Sequence, residues 1–245
     1  MSCARLLVIS SCTGDKAVKA PALTLDDFAD PDRLAQRERE LASVRRPAAA
    51  MYTGWQHVYL MRGVDKLRRA FRSEFVELRI LSAGYGLIEA HRAICPYDVT
   101  FNDMDKLQAR AWARHLRVPG DVRASLEDFE VAIFLLGSRY LDAIDPPIAA
   151  HNGQRLVFLA KPSETSRLAG AGVVIVPAGK SEATRYGSGL VALKGRMFER
   201  FAEALAGRRE LFDEIKADHS PATFEFVNLD WPHRAHLSWL HPRGH

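Results

Sequence analysis

The chain has 245 residues, of which 47% are hydrophobic and 26% charged, and its formal net charge is +4. That composition argues against an intrinsically disordered chain, and the length suits one large domain or two small ones, a large one needing no covalent staples. No apolar run approaches the roughly 18 residues of a membrane helix, so no membrane partner is expected.

The first apolar run, Leu6-Leu7-Val8-Ile9, is too short for the core of a secretory signal and predicts a buried strand over Arg5–Ser11. The turn Ser11-Cys12-Thr13-Gly14-Asp15-Lys16 follows. Residues 26–46 are highly charged with few apolar anchors, which predicts a solvated helix or a mobile excursion. Ala48–Phe71 has helical periodicity, with possible breaks at Gly54 and Gly63. Phe75–Leu81 is a second predicted strand, and Gly84 and Gly86 punctuate a loop running to about Asn102.

Asp103–Leu116 predicts a helix capped by Asn102 or Asp103, and Asp121–Leu126 a further helical turn. Phe129–Leu136 has the clearest strand signal in the chain. A short helix over Ser138–Ile144 follows it and stops before Pro146 and Pro147. Arg155–Leu159 and Val173–Val176 are further strands, and Gly187–Leu205 is a helix. Alternating strands and helices predict a single α/β domain with a mostly parallel central sheet flanked by helices. Its core spans about residues 4–206, and an irregular tail covers 220–245.

In such a sheet the ligand crevice lies beyond the carboxyl ends of the strands. Ser10–Lys16, Ser82–Tyr97 and Gly137–Tyr140 are therefore the first places to look. In the first segment Ser10, Ser11, Cys12, Thr13 and Lys16 can present backbone N–H groups and a positive charge to an anion. An ordinary turn is the equal alternative. Gly84 and Gly86 around Tyr85, after Ser82, permit close backbone approach, by a ligand or by the protein itself.

In Cys95-Pro96-Tyr97-Asp98, Tyr97 can stack on a planar base and Asp98 can act as general acid or base. Cys95 is either a nucleophile or a small buried hydrophobe. Lys180, Arg185, Lys194 and Arg196, with Arg200, either track a phosphate backbone or form a solvated helix face.

Cys3, Cys12 and Cys95 are widely spaced, with no CxxC, so neither a disulfide framework nor a zinc site is expected and a cytoplasmic location is. The histidines His219, His233, His236, His241 and His245 lack partners at metal-ligand spacing. No P-loop, Rossmann fingerprint, HExxH or Ser-His-Asp signature is present.

The stretch Leu81-Ser82-Ala83-Gly84-Tyr85-Gly86-Leu87-Ile88, followed by Ile94-Cys95-Pro96-Tyr97-Asp98-Val99-Thr100 and Met104, resembles the YaaA-like (peroxide stress protein) superfamily. Val8–Lys16 is similar to that family's first strand and Ser/Lys loop, and Leu193–Met197 is a weaker echo of its basic helix. The resemblance implies a DNA-associated protein of the stress response. That family's fold is also similar to a domain of archaeosine synthase, which acts on the nitrile of a deazaguanine base in RNA, and a related role in DNA modification converts such a cyano group to an amide.

Cys95 departs from the residue usual before the Pro-Tyr pair, and a cysteine there suits nitrile chemistry. The leading expectation is an enzyme that modifies a nucleobase, in DNA rather than RNA, with Cys95 as nucleophile and Asp98 as acid/base. Tyr97 and Tyr85 would stack on the base, and no metal or organic cofactor is implied. The alternatives are a non-catalytic DNA-binding protein and an enzyme acting on a free nucleotide.

Overall fold

The computed structural model describes residues 6–217. Cys3, the five C-terminal histidines and the tail 220–245 lie outside the described residues. In chain order the elements are β1 (Leu6–Ser11), α1 (Leu25–Ala29), α2 (Pro31–Glu40), β2 (Arg46–Pro47), α3 (Ala48–Met51) and α4 (Trp55–Ala70). Then come β3 (Val76–Ser82), β4 (Gly86–Glu89), β5 (Ala93–Ile94), α5 (Lys106–His115), α6 (Val118–Ser125), β6 (Val131–Leu135) and α7 (Ser138–Ala143). The last are β7 (Arg155–Ala160), α8 (Thr165–Leu168), β8 (Val173–Pro177), α9 (Lys180–Arg185), α10 (Leu193–Gly207) and α11 (Leu211–Ala217).

A six-stranded sheet, ordered β4-β3-β1-β6-β7-β8, forms the centre. Five strands are parallel, and β4 returns antiparallel to β3 at one edge. β1, β6 and β7 are buried along their whole length, because helices cover both faces of a parallel sheet. That is why they read as continuous apolar runs. Counted along the chain, the parallel strands have the spatial order 2-1-3-4-5, so the sheet changes its direction of growth between β1 and β6. A crevice opens beyond the carboxyl ends of two such strands.

Several local expectations change. The helix expected over Ala48–Phe71 divides at Tyr52–Gly54 into α3 and α4, but it does not break at Gly63. A Cβ on Gly63 would lie 2.9 Å from the Phe198 ring and 3.2 Å from the Glu199 backbone, so this glycine admits α10. Gly195 likewise abuts the Gln56 backbone. These two contacts, 195 on 56 and 198–199 on 63, make α4 and α10 a parallel pair with their N-termini at the same end.

The loop expected over 84–102 contains β4. Gly86, at φ 73°, reverses the chain, and Ser82 Oγ accepts from the N–H groups of Gly84 and Tyr85 at 3.2 and 3.0 Å. The cap of α5 is Asp105, not Asn102 or Asp103. Its carboxylate accepts from the N–H groups of Leu107 and Gln108, both at 2.8 Å. The last long helix begins at Leu193 rather than Gly187, and α9 precedes it.

The charged stretch 26–46 forms α1, α2 and a single 3-10 turn. No residue of α2 is buried, whereas α1 plants Phe28 in the core, edge-on to Tyr85 and Tyr97 at 4.9 and 5.8 Å. Among the described residues no helix is long and apolar enough to cross a membrane.

Candidate functional site

A cleft of about 550 Å³ opens at the switch point. Its floor is the peptide after β1, Ser11 to Asp15, and the peptide after β6, Gly137 to Leu141. The first turn of α4 (Gly54, Trp55, Gln56) closes one side. Lys161 and Glu164, after β7, and Leu190, Val191 and Lys194, at the start of α10, close the other. The Gln56 amide ties this frame together. It donates to Ser10 Oγ at 3.3 Å, Ser11 Oγ at 3.2 Å and the Leu135 carbonyl at 3.2 Å. Thr13 Oγ1 accepts from Gly54 N at 3.3 Å, which fixes the β1 loop against α4.

Cys12 lines the cleft, and its Sγ lies 3.0 Å from Tyr140 Oη, which is also 3.3 Å from Thr100 Oγ1. Burial, with Cys12 adding, pushes the Tyr140 phenol well above its ordinary pKa, so it remains protonated at neutral pH. Lys16 sits behind this pair, its Nζ 4.4 Å from the centre of the Tyr97 ring. Burial lowers the pKa of Lys16, and Cys12, Asp98 and Asp15 oppose that shift. Trp55 is 64% exposed at the cleft mouth, which the exposed Leu190 and Val191 also line. Such a ring is free to stack on a planar ligand.

Lys194 is half-buried and donates to the carbonyl of Leu136, just after β6. Burial pushes its pKa down to about 8. Glu164 works against that shift and Lys161 adds to it. A lysine desolvated in a cleft is a recurrent mark of a working site.

The sequence candidates divide between this cleft and the core. Ser11, Cys12, Thr13 and Lys194 line the cleft, and Ser10 supports it from beneath through Gln56. The segment 82–97 does not reach it. Cys95 is fully buried, so the nucleophile role expected of it is corrected. Its Sγ accepts from Arg45 Nε at 3.4 Å and lies 3.8 and 3.9 Å from the carbonyls of Glu38 and Leu41. Tyr97 cannot stack on a base, because its ring is enclosed by Phe28, Tyr52 and Tyr85. Its hydroxyl is 2.7 Å from Tyr52 Oη and accepts from Ser82 Oγ at 2.8 Å.

Tyr85 donates to Glu38 at 2.9 Å and packs on Phe28, so it is no stacking platform either. Gly84 makes room for the Phe28 ring, which a Cβ would meet at 2.5 Å, and Gly86 serves the chain reversal. Asp98 is exposed beside Lys16, outside the cleft.

Lys180 and Arg185 are exposed on α9. Arg196 pairs with Glu199 and Arg200 with Glu203, carboxylates that Arg62 and Lys66 of α4 share, so the arginines of α10 are engaged in ion pairs between the two helices. Among the described residues no group of three or more His, Cys, Asp or Glu side chains could hold a metal ion.

Trp55, Gln56, Lys161 and Glu164 were not among the candidates, and Arg139 entered only as part of the segment Gly137–Tyr140. Lys161 was within reach of the strand-end rule, since it directly follows β7. Trp55 falls within the helical periodicity of 48–71, and only its position at the first turn after Gly54 sets it apart.

Residues 39–168, slightly more than half of the chain, match the family described as "Family of unknown function (DUF6884)", and the chain belongs to that family. The matched span runs from α2 to α8. It contributes the α4 turn, Tyr140, Lys161 and Glu164 to the cleft, while the Cys12 loop and Lys194 lie outside it. No curated protein matches the chain.

Proposed function

We propose that this protein is an enzyme that modifies a nucleobase held in the switch-point cleft. The observation that carries the reading is the Cys12–Tyr140 pair, 3.0 Å apart in the wall of a cleft whose mouth presents an open indole ring. A thiol beside a protonated phenol is equipped to attack an electrophilic carbon and supply the proton that the attack requires. The Trp55 ring offers the stacking face that Tyr97 and Tyr85, both engaged in the core, do not.

The resemblance of residues 81–100 suggests a base bearing a nitrile. On such a base the Cys12 sulfur adds to the nitrile carbon, and the thiol proton reaches the nitrile nitrogen through Tyr140. Water then adds to the thioimidate carbon, the C–S bond breaks, the sulfur recovers a proton and the amide is released. The balance is nitrile plus water to amide, with no redox change. A base inside a duplex would have to be flipped out first, at a cost of a few kcal/mol.

The test is incubation of the full chain with cyano-deazaguanine as free base, nucleoside, nucleotide and duplex, followed by mass spectrometry. A gain of one water that is lost in Cys12→Ala and Tyr140→Phe and retained in Cys95→Ala is the expected result. Conversion that survives Cys12→Ala, or no conversion of any form, overturns the reading.

A further inference from the structure

The cleft combines exposed apolar side chains with a basic corner. Trp55, Leu190 and Val191 stand exposed around its mouth. Behind the ends of β6 and β7, Arg139, Lys161, Arg167 and Lys194 gather around only two carboxylates, Asp142 and Glu164. Arg167 pairs with both acids, and Arg139 reaches Asp142 at 3.4 Å. Four cations against two anions leave this corner with a surplus of two positive charges. The remaining carboxylate of the cleft, Asp15, lies on the β1 loop.

We infer that this corner is a subsite for a phosphate monoester dianion, held chiefly by Lys194 and Lys161, on a ligand whose ring stacks on Trp55. Lys194 has three N–H donors, and the Leu136 carbonyl takes one of them. Lys161 and Lys194 repel one another, and a dianion between them relieves that repulsion.

The backbone adds to this. Neither α4 nor α10 has a side-chain cap, and their parallel packing turns both N-termini toward the cleft, where helix dipoles favour negative charge. A cation in the first turn of a helix is unfavourable to that helix, so Lys194 is poorly placed for stability and well placed for an anion.

The inference rests on the proposed nucleobase reading and narrows it to substrates that carry a terminal phosphate. Two sources share that chemistry, a free nucleoside monophosphate and the 5′-phosphorylated end of a strand.

Calorimetric titration of the full chain with each of the four nucleosides, their 5′-monophosphates and inorganic phosphate tests it. A 5′-phosphorylated oligonucleotide and its unphosphorylated twin distinguish the two sources. At least one monophosphate is expected to bind tenfold or more tighter than its nucleoside. That gain should vanish in Lys194→Met and shrink several-fold in Lys161→Ala, whose exposed side chain is not needed for folding. Inorganic phosphate that binds in a Lys194-dependent manner, without any nucleoside effect, supports the subsite and removes the nucleobase reading. Equal binding of nucleoside and monophosphate with no phosphate binding, or binding insensitive to both lysine variants, overturns the inference.

Discussion

Gly195, in the first turn of α10, lies directly against the backbone carbonyl of Gln56, in the first turn of α4. This contact brings two parallel helices together at the ends that frame the cleft, and it leaves no room for a side chain. A methyl group at 195 would have to displace backbone, which cannot yield as a side chain can. Gly195→Ala is therefore expected to destabilise the protein by about 1–3 kcal/mol. Gly120, inside α6, has nothing within 4 Å of its would-be Cβ. Gly120→Ala should instead be neutral or stabilising, by about 0.5–1 kcal/mol. Urea denaturation of the two variants checks the contrast, and equal stabilities would refute the packing account.

Lys194 makes a second prediction, with a sign that depends on pH. Its pKa falls from 10.5 to about 8 on folding because the buried ammonium is poorly solvated. Below pH 8 the charged form is present in both states and the fold bears the full penalty, about 3 kcal/mol. Between pH 8 and 10.5 the unfolded chain binds more protons, so this group makes stability rise with pH. Lys194→Met removes the penalty but leaves the Leu136 carbonyl without its donor, a loss of about 1 kcal/mol. The variant should be more stable than the parent by about 2 kcal/mol at pH 7, and the advantage should fade by pH 10. Melting curves across that range measure it. A variant less stable at pH 7 would show that Lys194 serves the fold rather than the site.

The two described thiols should behave differently. Cys12 borders the cleft, whereas Cys95 is sealed beneath α2 and the turn that follows it. In a Cys3→Ser background, a thiol reagent is expected to modify one cysteine in the folded protein and the second only on unfolding. Peptide mapping identifies which. Labelling of Cys95 ahead of Cys12 would contradict the structure.

These contrasts show what was legible in the sequence. β1, β6 and β7 stood out because central parallel strands are apolar on both faces, and the crevice rule then led to the Cys12 loop and to Gly137–Tyr140. The rule misled at β3. There Gly84-Tyr85-Gly86 and Cys95-Pro96-Tyr97 carry the residue types of a reactive loop, but α1 inserts Phe28 among them and turns the segment into core. Nothing local distinguishes a tyrosine that stacks on a ligand from one that packs edge-on against a phenylalanine far earlier in the chain. Lys194 was singled out for its charge, yet its burial depends on the crossing of α10 over the end of β6, which no spacing reveals.

Phe28 supplies the most exacting test of how α1 packs against the segment 84–97. It is 5% exposed and edge-on to two tyrosines, and with Leu41 it anchors an excursion whose α1 is short and whose α2 buries no residue. Phe28→Ala is expected to remove about 3–5 kcal/mol. Much of that loss should be local, because the excursion's other apolar anchors, Leu34, Leu41 and Val44, loosen together with Phe28 while the sheet remains intact. Since the carbonyls of Glu38 and Leu41 cover the Cys95 sulfur, loosening the excursion uncovers it. Cys95 should then react with the thiol reagent at denaturant concentrations where circular dichroism still reports a folded sheet. Loss of thiol protection and of secondary structure at the same midpoint would mean that the excursion and the sheet unfold as one unit.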